Sequence, residues 1–312
     1  MGRSRLSKRA GPQSDERNGI AVALVAYIVW GLLTLYWKQL HGYNAFELIG
    51  WRITCAAIVM AVVVTTTRRW PTVSRALTNP LILRGVALAA ILLTINWTTY
   101  VWAVVHDQVI ETALGYFMAP LGSMAIGVLL LHERLRSAQR AAAVLAACAV
   151  VTLTYSYGRV PWFALVIATS WTTYGYLKKK VPLSAIDSMA AETFVLLAPA
   201  IAAVAIFSQS ASSIVGTASG PRMIYVAFSG LATVVPLTLF AYAAKRVPLS
   251  TIGLMQYIIP VMNFMLGWLV FHEPLPTSRV IGFGLVWVAL IVVTVDSVRA
   301  MSAINRVHGA DN

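Results

Sequence analysis

Apolar residues gather along this chain into ten long runs, near residues 20–39, 45–66, 81–104, 109–131, 138–157, 160–177, 187–207, 222–243, 249–271 and 279–297. A helix needs roughly 20 mostly apolar residues to cross about 30 Å of hydrocarbon, and each run approaches or reaches that length. The pattern predicts an all-α integral membrane protein with ten transmembrane helices. The polar connections between runs are short, the longest being the Ser/Gly-rich 208–220, so little chain remains for a soluble domain. Composition agrees: of 312 residues 59% are hydrophobic and 11% charged, far more apolar than a soluble core requires. The basic segment 1–18 followed by an apolar run resembles a signal peptide. That run continues for a full span without a clear small-residue cleavage site, so it is read as the first helix.

The net charge of +13 changes the picture only through its placement. Counted by alternate sides, nineteen of the 24 lysines and arginines, among them Arg68, Arg69, Arg75, Arg84, Lys178, Lys179 and Lys180, fall on one side, and Lys38, Arg159, Arg222 and Arg279 on the other. The bias predicts a multi-pass plasma-membrane protein with both termini cytoplasmic and an even number of spans. The basic excess marks orientation and no nucleic-acid partner. Cys55 and Cys148 both fall within predicted spans, where a small apolar packing role outweighs a disulfide or a metal site. No cofactor or metal is expected.

The chain also repeats itself. A shift of 140 residues sets Leu114 on Leu254, Pro120 on Pro260, Gly127 on Gly267 and His132-Glu133 on His272-Glu273; a shift of 141 sets Trp30 on Trp171. The predicted organisation is a tail at 1–18, a first five-helix repeat at 19–157, a second at 158–297 and a tail at 298–312. Five is odd, so the second repeat enters the membrane from the opposite side, the inverted arrangement of many secondary transporters. Pro120 and Pro260 then stand at equivalent depths, where a missing N–H and a ring clash bend a helix. A pair of bent helices would open a cavity between the halves.

Particular stretches carry a resemblance. AYIVWG at 26–31, ELIGWR at 47–52, NW at 96–97, ETALGYFMAPL at 111–121, YGYLKKK at 174–180, ET at 192–193, TVVPL at 233–237 and QYIIP at 256–260 are similar to the RarD group of EamA-type proteins in the drug/metabolite transporter superfamily. The resemblance spans about 19–296. It implies ten helices in two inverted five-helix repeats and a permease of small organic solutes such as drugs or metabolites, in a group often labelled for chloramphenicol sensitivity. Two positions depart from the group: Ala119 precedes Pro120 and His132 precedes Glu133.

Polar residues inside the spans narrow the site, because ionisable groups in a bilayer are costly and mark function. Arg52 is the deepest charge, and its guanidinium suits an anionic or carbonyl-bearing solute. Tyr116, Gln256, Tyr257 and Asn96 lie close in sequence or depth to the two prolines, and with Arg52 form the expected substrate-binding set. Glu192, Glu111 and Glu47 are candidates for coupling protons to transport. For Glu47 a capping box with Asn44 is an equally good reading, and for Glu111 a favourable place in a first helical turn. No nucleotide-binding loop GxxxxGK[ST] and no catalytic His/Cys/carboxylate set occurs, which points away from a pump or an enzyme. The expected function is a secondary-active exporter of a small-molecule substrate, embedded in the lipid bilayer. The alternative is a non-transporting membrane receptor or scaffold.

Overall fold

The computed structural model describes residues 12–131, 137–244, 246 and 255–310. Among them are helices and no strand. In chain order these are α1 (Pro12–Lys38), α2 (Ala45–Thr66), α3 (Trp70–Thr78), α4 (Pro80–Val105), α5 (Val109–Leu131), α6 (Ser137–Tyr157), α7 (Trp162–Lys180), α8 (Ala185–Phe207), α9 (Ile214–Thr217), α10 (Gly220–Ala244), α11 (Ile258–Met265, continued by a π-turn at Leu266–Val270) and α12 (Thr277–Ala310). Ten of these follow the ten apolar runs. Five, namely α1, α2, α4, α8 and α10, are long and apolar enough to cross a membrane by length and composition alone. His132 and Glu133, which the repeat pairs with His272 and Glu273, lie outside the described residues.

Helix starts are fixed by short polar side chains. The Asn44 carboxamide accepts from the amides of Phe46 (2.9 Å) and Glu47 (3.2 Å), and Asn79 does the same for Leu81 and Ile82 at α4, where Pro80 needs no amide partner. Two short helices were not foreseen. In α3, Val73 and Ala76 are buried while Trp70 is exposed, with its ring stacked on Phe194. Nine residues cannot span a bilayer, and this two-faced helix packs instead against α4 and α8.

Packing follows a rule the hydropathy pattern does not contain. Helices of the first half take their main partners from the second: α1 packs on α10, α2 between α8 and α10, α4 and α5 on α7, α6 along α12, and α11 on α5 and α1. The two halves interleave rather than lie side by side. Small residues permit this closeness. A Cβ at Gly230 on α10 would stand 2.6 Å from the Cys55 carbonyl carbon and oxygen of α2, and one at Gly50 would meet the Ala200 carbonyl oxygen of α8 at 2.8 Å. Large side chains such as Ile58, Val62, Leu88, Ile91, Ile224 and Phe228 are left exposed around the outside, a surface that suits lipid.

Candidate functional site

The interleaving brings polar side chains from both halves to the centre. Asn96 on α4 is fully buried. Its amide donates to the Ile167 carbonyl and the Ser170 hydroxyl of α7, each at 3.1 Å, and its carbonyl oxygen accepts from the Tyr116 hydroxyl of α5 at 3.2 Å. Tyr116 meets the rings of Tyr100 and Trp171 edge-on. A buried amide without water needs such partners, and here it ties three helices together.

Arg52 on α2 is 4% exposed. It does not pair with Glu47, which stands five residues and about half a helical turn away. Its Nε donates to the Thr233 hydroxyl of α10 at 3.0 Å, and its guanidinium lies over the rings of Trp97 (4.0 Å) and Trp37 (5.1 Å). Among the described residues no carboxylate neutralises it. A third contact closes the set across the halves: the Thr34 hydroxyl of α1 donates to the Asn263 carbonyl oxygen of α11 at 2.6 Å and meets the Tyr100 hydroxyl at 2.7 Å. Thr34, Trp37, Trp97, Tyr100, Thr233 and Asn263 thus join the residues expected from sequence. Trp97 and Thr233 lie inside the NW and TVVPL stretches, so the signal for these two was present.

Two of the three carboxylates expected to couple protons, Glu47 and Glu111, are bound into joints between helices. Glu47 turns away from its own helix start and accepts from the amides of Ile214 (2.9 Å) and Val215 (3.3 Å), so it caps α9. Glu111 accepts from the Phe163 amide at the start of α7 (3.1 Å) and pairs with Arg159 at 2.8 Å. A third carboxylate, Glu273, repeats the device: it takes the amides of Val109 (2.6 Å) and Ile110 (2.9 Å) at the start of α5. Helix N-termini favour an anion in this position. Burial raises the Glu273 carboxyl above the ordinary carboxylate range, against the opposing pull of the two amides and of Lys38. Lys38 itself pairs with Asp107 beside it. Glu192 differs: it accepts from Lys178 and Ser188, each at 2.7 Å, and from the Tyr174 hydroxyl at 3.2 Å. The Tyr174 ring touches Trp171, which touches Tyr116, so a line of aromatics connects Glu192 to the centre.

Gln256 and Tyr257 are placed elsewhere. Gln256 is exposed and bonds Tyr27 of α1, while Tyr257 packs with the apolar group around Leu114 and Phe117. The two prolines also differ. Helix α5 runs unbroken through Pro120. Pro260 is the third residue of α11, and a turn at Gln256-Tyr257 precedes it. A proline cannot donate to the carbonyl four residues back, and for Pro260 that is Gln256. The Ile259 amide bonds that oxygen instead, at 3.3 Å. The two prolines thus sit differently: Pro260 follows a two-residue turn that interrupts helix between residues 255 and 258, and Pro120 lies within continuous helix.

Known proteins share this plan. The model of the EamA-like transporter family matches twice, at 17–155 and 159–295. Protein RarD of Streptomyces exfoliatus is 42% identical over 92% of this chain and 91% of its own. An uncharacterized transporter of Bacillus subtilis, YojE, is 34% identical over 92% and 96%. A chloramphenicol-sensitive protein RarD of Pseudomonas aeruginosa is 23% identical over 91% and 95%. A crystal structure covering 91% of this chain and 99% of its own superposes with a TM-score of 0.58 at 19% identity, a likeness of fold alone. With two family matches that together take in most of its length, this ten-helix, multi-pass membrane protein belongs to the EamA-like transporter family.

Proposed function

We propose that this transporter is a secondary-active permease that exports small organic solutes, drugs or metabolites, by alternating access between two inverted repeats at 19–157 and 158–297. The observation that carries the reading is the buried set Arg52, Asn96, Tyr116, Thr34 and Asn263, contributed by helices of both halves and bonded across them. A transporter needs its solute contacts where the halves meet, because only there does their relative movement change which side is open. Protons are the proposed coupling ion and Glu192 the proposed group, since it is a buried carboxylate joined to Tyr116 through Tyr174 and Trp171. Glu111 and Glu47 serve better as joints. The decisive assay is flux through vesicles reconstituted with the full chain, over a panel of antibiotics and metabolites that includes chloramphenicol. Flux should follow an imposed proton gradient. Flux that persists with all ion gradients collapsed and ATP supplied would refute the secondary-active reading.

The proposed orientation places the basic end in the cytoplasm of a plasma-membrane protein, with both termini there. Ser74 at the basic end and Gln209 at the other are both exposed. In chains with Cys55 and Cys148 replaced, Gln209→Cys should react with an impermeant thiol reagent on intact cells, and Ser74→Cys only after permeabilisation. The reverse pattern would invert the topology.

A further inference from the structure

Among the described residues, one buried donor in the central set has no acceptor, and a buried cation beside it has no counter-charge. The guanidinium of Arg52 bonds only through Nε, and the described residues offer it no carboxylate. The Trp37 indole N–H, on a side chain 1% exposed, has no partner, and this is the ring that lies beneath Arg52. The Asn263 carboxamide stands against the same helix: its oxygen accepts from Thr34, and its side chain also reaches the Tyr100 hydroxyl. Thr34 and Trp37 stand three residues apart on α1 and so share a face. Arg52 over Trp37 and Asn263 on Thr34 therefore border one face of α1.

Buried polar groups are almost always satisfied, and orphaned ones call for an explanation. A buried cation without a counter-charge is costlier still. A guanidinium without a counter-charge beside an orphaned indole N–H describes a place for an anion with several lone pairs. A planar carboxylate matches the guanidinium fork. The rings of Trp97, Tyr100, Tyr116 and Trp171 around it suit an apolar or aromatic body. We infer that the solute is a small organic carboxylate, its anionic group held by Arg52 and Trp37 and its body by the surrounding aromatic rings. This deepens the transporter reading and rests on it.

Phenylacetate and phenylacetamide have nearly the same shape and differ in charge, which makes them the probe pair. Binding to the purified full chain in detergent is read from tryptophan fluorescence, with Trp37 and Trp97 as the reporters nearest the charge. Wild type should bind phenylacetate about tenfold or more tightly than the amide, in keeping with a charge-assisted bond, and equal concentrations of chloride should not compete. Arg52→Gln should reduce the preference to about onefold. Arg52→Lys, which keeps the charge but loses the fork, should retain part of it. Trp37→Phe removes a donor and keeps the charge, so it should weaken phenylacetate binding severalfold and spare the amide; with Trp97 as the reporter it carries the test should Arg52→Gln fail to fold. Absence of phenylacetate binding, equal binding of the amide, displacement by chloride, or a preference that survives Arg52→Gln would each overturn the inference. Proton-driven flux of an uncharged solute with no phenylacetate binding would remove the carboxylate and leave the transporter standing. Arg52-dependent binding with no flux of any solute would do the reverse.

Discussion

Leucine at position 96 should lower transport at least about tenfold while the protein remains in the membrane in ordinary amount. The asymmetry follows from the bonds Asn96 makes. Its two acceptors on α7 are otherwise occupied or supplied, since the Ser170 hydroxyl also donates to the Val166 and Ile167 carbonyls. The Tyr116 hydroxyl has no other bond among the described residues and would be orphaned. Interhelical polar contacts in membranes average only about 0.6 kcal/mol, and an orphaned hydroxyl costs about 1–3 kcal/mol, so folding survives. The side chain that faces the solute loses its anchor, and a small displacement at a binding site is expensive for rate. Immunoblots of membranes beside flux in vesicles of Asn96→Leu check this. Protein and flux falling together would mark Asn96 as purely structural.

A single methyl group at Gly230 should be among the most damaging changes available. In Gly230→Ala the new carbon would stand 2.6 Å from backbone atoms of Cys55, which cannot move without the whole of α2. Forcing α2 and α10 apart is overpacking, about 1–3 kcal/mol, and it strains the contact on which Arg52 and Thr233 depend. Gly284→Ala is the matched control, because nothing lies within 4 Å of its new carbon. That change should stabilise by up to about 1 kcal/mol through helix propensity. Thermal melts of the two variants in detergent should move in opposite directions, and a Gly230→Ala melt no lower than wild type would contradict the close approach.

The ten spans were legible because a hydrocarbon solvent demands long apolar helices, and length and hydropathy report that directly. The ends of α2 and α4 were close to the runs because Asn44 and Asn79 cap them. What hydropathy could not report was partnership. Nothing in the apolar pattern says that α2 lies between α8 and α10 rather than beside its neighbours in sequence, and this interleaving decides which polar residues meet. Arg52, Asn96 and Tyr116 stand out in the sequence because each carries a polar group within a span. Trp37 and Tyr100 carry no such signal, because an aromatic within a span most often packs, and Asn263 stands out only as an amide of the kind that most often binds a neighbouring helix. Their relevance is visible only once α1, α4 and α11 are side by side. Gln256 was misjudged by symmetry: proximity to Pro260 suggested the cavity, yet the turn ahead of α11 directs it to Tyr27. The carboxylates show a further limit. Sequence placed Glu47 and Glu111 at helix starts but could not say that each would cap a different helix.

The central claim is that the set around Tyr116 opens to each side of the membrane in turn. It is tested most directly by a single cysteine at that position, Tyr116→Cys, in a chain with Cys55 and Cys148 replaced. With the full chain reconstituted in one known orientation, an impermeant thiol reagent is added to one face and then, separately, to the other. Alternating access predicts that Cys-labelling at this site proceeds from both faces, each rate shifting in opposite directions when a proton gradient is imposed. Labelling from one face only, or from neither, under every gradient would contradict it.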